Sequence, residues 1–200
     1  MTSCESDNSN TIEVDGIEFV TLMPELVVQI PPNLSGAKTQ VQFGIQISNN
    51  TKNPRHFLLF VARPEFLQAN KQKVSHFGPT VNTAASPELS DFKLLMPGER
   101  VNFLLIGHFE WFKNELGFAF IGKDATQWWY GNFQAGTYFI NVIYGNEYSV
   151  WEQHGWSDGI ISLVPKPKRP THNYPREITK IENVWTGNVV TLPIEFCLIQ

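Results

Sequence analysis

Hydrophobic and polar residues alternate with a period of two along most of the chain, as expected for β-strands with one buried face. The clearest case is 136–144, where Tyr138, Ile140 and Val142 share one face of the predicted strand. Segment 40–48 alternates in the same way between large apolar residues and small or polar ones. No long segment shows a clean helical repeat, so the pattern predicts an all-β protein.

Turn-forming residues divide the chain into further strands. Asp15 and Gly16 separate two alternating runs within 11–20, a pair typical of a tight hairpin. Between Arg63 and Asp91 the alternation fades, and we expect one helical turn at 64–67 and a surface loop at 80–90. The other predicted strands lie at 26–30, 55–61, 92–95, 101–105, in two parts of 111–130 around a turn at 122–124, and at 190–198.

Two residues inside predicted strands are expected to interrupt them locally. Pro193 lacks a backbone N–H and therefore favours a sheet edge or a bulge in the last strand. Gly44 is expected to mark a bulge or a close approach of another backbone segment.

Length and composition suit one globular domain. The chain has 200 residues, 42% of them hydrophobic and 17% charged, whereas an average soluble domain carries about 25% charged residues. A chain of this length can bury one sizeable core. We predict a single antiparallel β-sandwich over residues 11–200, behind a disordered polar tail at 1–10. The net charge of −4 gives no general attraction to nucleic acid or anionic lipid, so we expect neither as a partner.

The N-terminal residues and the cysteines indicate a reducing compartment. The start of the chain is polar and lacks the basic and apolar stretches of a secretory signal. The longest apolar run, 57–62, is far shorter than the roughly 20 residues that span a bilayer. The cysteines, Cys4 and Cys197, stand near opposite ends and do not suggest a disulfide framework. We therefore expect a cytoplasmic protein without a membrane segment.

Candidate catalytic and metal-binding residues are few and scattered. His108 and Glu110 would share one face of a strand, and His154 lies near Glu152 and Asp158, but neither group has an obvious further metal ligand nearby. There is no nucleophile-elbow motif and no glycine-rich phosphate loop. We expect no catalytic set, no metal and no cofactor, although a metal-assisted enzyme that uses one of these groups stays an alternative.

Aromatic residues supply the candidate binding site. In a strand, Trp128 and Tyr130 point to one face and Trp129 to the other. Only one of these faces can pack on the main core, so the rings on the other face must be exposed or be covered by a loop or a partner. A predicted loop, 146–159, holds three further candidates. Either this loop folds over the sheet as a satellite cluster, or the rings form a surface for a ligand or a protein. An exposed Trp129 would also suit a homodimer across that face. The candidate binding residues are Trp128, Trp129, Trp151, His154 and Trp156.

Residues 165–176 are locally basic and rich in proline, which favours an extended conformation. The stretch is either a docking arm for an acidic partner or a solvated connector between two sheet elements. It lacks the interleaved aromatic residues of nucleic-acid-binding segments. Together with the loops at 63–91 and 146–159, it is expected to form the working surface, because binding residues concentrate on loops of rigid scaffolds.

The order of several turn and core motifs resembles a known family. Asn50-Thr51 and Pro54 follow an alternating strand, then come Pro97-Gly98-Glu99 and Gly136-Thr137-Tyr138. This order resembles immunoglobulin-like bacterial sandwiches, in particular the intracellular proteinase inhibitor family of the BsuPI type. The resemblance covers about residues 41–144 and implies an immunoglobulin-like fold in which Tyr138 bonds back to upstream backbone as a tyrosine corner. It supplies no inhibitory loop that can be matched residue by residue.

The sequence predicts a full β-sandwich but no group of catalytic residues, and this combination leads to one main functional hypothesis. We expect a non-catalytic intracellular interaction module that binds a protein or peptide through loops on a β-sandwich. One alternative is carbohydrate or small-ligand binding on Trp128, Trp129, Trp151 or Trp156. A second alternative, implied only by the resemblance, is a proteinase inhibitor.

Overall fold

A computed structural model describes residues 11–81, 85–155, 161–165 and 179–200. The predicted tail at 1–10 lies outside the described residues. The strands are β1 Thr11–Val14, β2 Ile17–Leu22, β3 Val27–Gln29, β4 Lys38–Asn49, β5 Arg55–Leu58, β6 Ala62–Gln68, β7 His76–Val81, β8 Phe92–Leu95, β9 Arg100–Phe112, β10 Glu115–Ile121, β11 Thr126–Phe133, β12 Gly136–Asn146, β13 Trp151–Gly155, β14 Ile161–Pro165, β15 Thr179–Ile181, β16 Gly187–Val190 and β17 Ile194–Ile199. Among the described residues the only helical element is a single 3-10 turn at Leu89–Asp91.

The strands form two large sheets and two small ones. The large sheet has seven strands in the order β1-β2-β4-β9-β10-β11-β7. The second sheet has five strands around β12, with β6 on one side, β16 and β17 on the other, and β3 beyond β17. The pairing of β3 with β17 is parallel, whereas the other strand pairs of the described chain are antiparallel. The small sheets are β14-β13-β15 and β5-β8.

The two large sheets pack face to face over an aromatic core. Phe66 of the second sheet contacts Phe118 of the large sheet with their ring centroids 4.9 Å apart, and its ring also meets Tyr130 and Phe196. The side chains that the alternation of 136–144 placed on one face are buried in this core. The prediction of an all-β protein with antiparallel sheets packed as a sandwich is thereby confirmed.

Segment 63–91 is more regular than the sequence suggested. The helical turn expected at 64–67 is wrong, because these residues belong to β6, where Ala62, Pro64 and Phe66 are buried in alternation. Proline is tolerated there because, among the described strands, β6 pairs with β12 on one side and has no strand partner on the other. The expected surface loop also begins later than predicted, since β7 extends to Val81.

Segment 146–159 is likewise not a simple loop. Its residues 151–155 form β13, the central strand of the three-stranded sheet. This sheet covers a second hydrophobic cluster. The buried members of that cluster are Leu58, Phe60, Trp151, Leu163, Ile181 and Val184.

Proline 193 divides the predicted last strand into β16 and β17, which both pair with β12. Phe196 and Leu198 face the core, but Val190 is exposed, because the register with β12 changes at the break. The strand predicted over 190–198 is therefore interrupted, and its residues do not share one continuous face.

Two glycine-containing predictions are confirmed. Asp15 and Gly16 have φ values of 52° and 75° and connect β1 to β2 in a tight hairpin. A Cβ atom on Gly44 would overlap the backbone carbonyl of Phe103 on β9, so Gly44 marks a close backbone approach.

The hydroxyl of Tyr138 accepts a hydrogen bond from the backbone N–H of Gln134 at 3.0 Å, the kind of upstream bond that a tyrosine corner makes. This bond does not by itself establish an immunoglobulin-like strand order, which stays a prediction. The part of the chain that the structure describes contains no helix long and apolar enough to cross a membrane.

Candidate functional site

The outer face of the large sheet carries more apolar side chains than a solvated sheet face requires. Along β9, Phe103, Leu105 and Phe109 point into the core. The alternate residues of the same strand point outward, and of these Ile106 is 53% and Phe112 58% exposed. The outer face is therefore a candidate contact surface.

Trp129 lies on this face in β11, next to the edge strand β7. As the sequence predicted, Tyr130 points into the core and Trp129 points away from it. The six-membered ring of Trp129 occupies the space that a Cβ atom on Gly117 of the neighbouring strand would take. Because Gly117 has no side chain, the indole lies against the backbone of β10, and Trp129 stays half-buried, with part of its ring accessible.

Trp129 helps to line a groove of about 560 Å³, here called the Trp129 groove. The rings of Trp129 and Phe112 meet edge to face, with centroids 5.9 Å apart and an interplanar angle of 70°. Phe77 of β7 is 64% exposed and contributes a third ring. The Trp129 groove is lined by Phe77, Glu110, Phe112, Lys113, Glu115 and Trp129.

Two carboxylates and one ammonium group flank these rings. Glu115 is exposed and makes no ion pair or hydrogen bond with another described residue. The Nζ atom of Lys113 lies 5.3 Å from the centroid of the Phe112 ring, a cation–π contact within the chain itself. The Trp129 groove thus combines aromatic faces with one carboxylate, Glu115, that has no partner among the described residues.

Glu110 belongs to a hydrogen-bonded cluster beside the groove. Its Oε2 atom lies 2.9 Å from Nζ of Lys38, and its Oε1 atom 3.3 Å from Nε2 of His108. The same Lys38 ammonium lies 2.8 Å from Nε2 of His108. Partial burial opposes ionisation of Glu110, but the contacts with Lys38 and His108 outweigh it and lower the pKa of this carboxyl.

Trp128 and Trp151 do not line this groove. Trp128 packs on the edge of the main core, where the guanidinium carbon of Arg63 lies 5.0 Å from its ring. Trp151 is buried in the second cluster, and part of it lines a separate groove of about 440 Å³. The satellite-cluster interpretation therefore holds for Trp151, which does not cover Trp129.

Three sequence predictions concern residues at the ends of the described ranges or outside them. The backbone of His154 lies in β13 opposite Ser162. Trp156 and Asp158 lie outside the described residues. The basic stretch 165–176 is described only at Pro165, the last residue of β14.

His108 and Glu110 are neighbours, as their spacing predicted, but they lack a third metal ligand. No group of three or more His, Cys, Asp or Glu side chains that could hold a metal ion occurs within residues 11–81, 85–155, 161–165 and 179–200. The position between the two residues is taken by the ammonium group of Lys38.

Sequence reasoning missed Phe77 and Phe112, the two rings that complete the groove. The alternation that placed Phe103 and Leu105 inward also puts Phe112 outward, if the strand is continued to its end at 112. That end follows from the tight turn at Lys113 and Asn114, whose φ values are 51° and 65°. For Phe77 the alternation gives no comparable signal, because Gly78 and Pro79 interrupt it.

Comparison of the chain with known family models, with curated proteins and with solved structures finds no match. The likeness to the BsuPI-type inhibitor family accordingly stays a prediction.

Proposed function

We propose that the protein is a non-catalytic interaction module that binds a protein or peptide through the Trp129 groove. In this proposal the working surface is a sheet face instead of the loops named from the sequence. The intracellular setting remains part of the proposal, supported by the few, widely separated cysteines.

One observation carries the proposal: three exposed or half-exposed aromatic rings converge in one groove on a rigid seven-stranded sheet. Aromatic residues are enriched in the centres of protein interfaces, where a few of them supply most of the binding free energy. Gly117 and the edge-to-face contact with Phe112 fix the indole of Trp129 before a partner arrives. A fixed ring loses little conformational entropy on binding, which favours affinity.

The direct test is a selection of displayed random peptides on the immobilised full chain. We expect the selected peptides to lose about 10- to 30-fold in affinity for Trp129→Ala, the effect of removing an interface hot spot. Leu34→Ala, a change at an exposed apolar residue elsewhere, is the matched control and should bind normally. Circular dichroism and thermal unfolding would establish that both variants fold. Peptides that bind Trp129→Ala as tightly as the unaltered protein would contradict the proposal.

Carbohydrate binding on the same ring is a second candidate. It is supported by the accessible part of the Trp129 ring and by the neighbouring carboxylates, which could accept hydrogen bonds from sugar hydroxyl groups. We expect a bound glycan to change tryptophan fluorescence in the unaltered protein but much less in Trp129→Phe. An emission spectrum that no member of a glycan panel alters would argue against this candidate.

A further inference from the structure

We propose that the Trp129 groove recognises an arginine side chain of its partner, whose guanidinium group stacks on Trp129 and pairs with Glu115. This inference rests on the proposed function and adds the chemistry of the contact. The occupant is a segment of another protein that presents arginine at its surface.

The strand register sets the geometry of this contact. Across the β9–β10 hairpin, Glu110 stands opposite Gly117, and Phe112 stands opposite Glu115. These four positions form a square on the outer face, and the indole of Trp129 occupies the corner at Gly117. A flat group on the accessible part of the indole would therefore have the Glu115 carboxylate on an adjacent side.

The carboxylate of Glu115 favours a cation. Glu115 has no partner among the described residues, so a guanidinium could pair with it without displacing an existing ion pair. Glu110 is already paired with Lys38 and His108, so it is not assigned to the guanidinium. Lys113 already places an ammonium group near the Phe112 ring, so the guanidinium is assigned to the Trp129 ring and not to Phe112.

The shape of the groove favours guanidinium over ammonium. A guanidinium is planar, stacks on aromatic faces and is more weakly hydrated than an ammonium ion. Its fork of N–H donors also matches a carboxylate at the edge of the stacking plane. The flat indole with a carboxylate beside it is complementary to that shape, whereas a lysine would use only a point charge.

The test is a titration of the full chain with N-acetyl-L-arginine amide, followed on the indole N–H resonance of Trp129. Trp129→Phe identifies this resonance by removing it. We expect a saturable shift that weakens as salt rises from roughly 0.05 to 0.5 M. N-acetyl-L-citrulline amide, which has a similar shape but no charge, should shift the resonance far less. A citrulline shift equal to that of arginine, or no shift with arginine, would overturn the proposal.

Carboxylate variants separate the ion pairs from stacking alone. Glu115→Gln should weaken arginine binding about two- to five-fold, as expected for one exposed ion pair. Glu13→Gln, at an exposed carboxylate on the far edge strand of the same sheet, is the matched control and should change nothing. Unchanged arginine binding in Glu115→Gln would overturn the assigned role of the carboxylate.

The peptide selection distinguishes failure of this inference from failure of the proposed function. Peptides that need Trp129 and lose affinity when arginine is replaced by citrulline would support both. Peptides that need Trp129 but contain no required arginine would overturn the inference and leave the proposed function standing. Self-association that is lost in Trp129→Ala but unaffected by Glu115→Gln would replace the inference with an apolar homodimer.

Discussion

Replacing Phe66 with alanine should lower the free energy of unfolding by about 3–5 kcal/mol, the usual cost of removing a large buried aromatic side chain. Phe66 is 2% exposed and lies between the two large sheets. Its ring contacts four other rings, with centroid distances from 4.9 to 6.0 Å. The truncation leaves a cavity that neither sheet can close without shifting its strands.

Denaturant titration of the purified variant measures this loss. Phe112→Ala provides the matched control, because it makes the same change of residue at a side chain that is 58% exposed. We expect the control to lose no more than about 1 kcal/mol, as is usual for surface substitutions. Equal losses in the two variants would contradict the assignment of Phe66 to the centre of the core.

The second large effect is a loss of stability at alkaline pH, caused by two buried tyrosines. Burial raises the pKa of Tyr130 to about 12 and also raises the pKa of Tyr144. Their hydroxyl groups donate to the carbonyl oxygens of Pro64 and Leu58, at 2.6 and 3.1 Å. Both groups therefore remain protonated in the folded protein at pH values where they ionise in the unfolded chain.

The sign of the pH dependence follows from proton binding. Above pH 10.0, the ordinary tyrosine pKa, the folded state holds more protons than the unfolded state, so stability falls as pH rises. Each tyrosine contributes a slope of about 1.4 kcal/mol per pH unit. The two together should remove about 5 kcal/mol between pH 10 and pH 12, and the full contribution is present below pH 10.

Denaturant titrations at several pH values would measure this slope. Tyr130→Phe should be about 1 kcal/mol less stable at pH 8, where it lacks one hydrogen bond, but should lose less stability above pH 10. Phe133→Leu, a core change without an ionisable group, should lower stability by a similar amount at every pH. A Tyr130→Phe curve parallel to that of the unaltered protein would refute the explanation.

The strands could be predicted from the sequence where one face is buried and the other is wet. That holds for β4 and β12, whose alternation is visible by eye and whose buried faces were identified correctly. It failed for β6, because charged Arg63 and Glu65 alternate with Ala62 and Pro64, residues that do not suggest a strand. Apart from the β1–β2 hairpin at Asp15 and Gly16, the sequence does not show which strands pair, since most pairing depends on contacts between residues far apart in the chain.

The candidate site was predicted only in part, for a similar reason. The outward direction of Trp129 follows from the alternation of side chains along β11, because successive side chains of a strand point to opposite faces. The surroundings of Trp129 depend on β7 and on the β9–β10 register, which bring Phe77 and Phe112 beside it. The sequence predicts a loop around Trp151, although this residue begins β13. The three strands of the small sheet are too short for their alternation of apolar and polar residues to be recognised.

The parallel pair of β3 with β17 has a consequence for how the protein is made. Val28 of β3 stands opposite Leu198, and the Thr21 and Thr191 hydroxyl groups meet across 170 positions of the chain. The second sheet therefore cannot close until a ribosome has translated nearly all the described residues. Until then, the nascent polypeptide exposes the apolar strands destined for that layer, and we expect folding to be slow and largely post-translational.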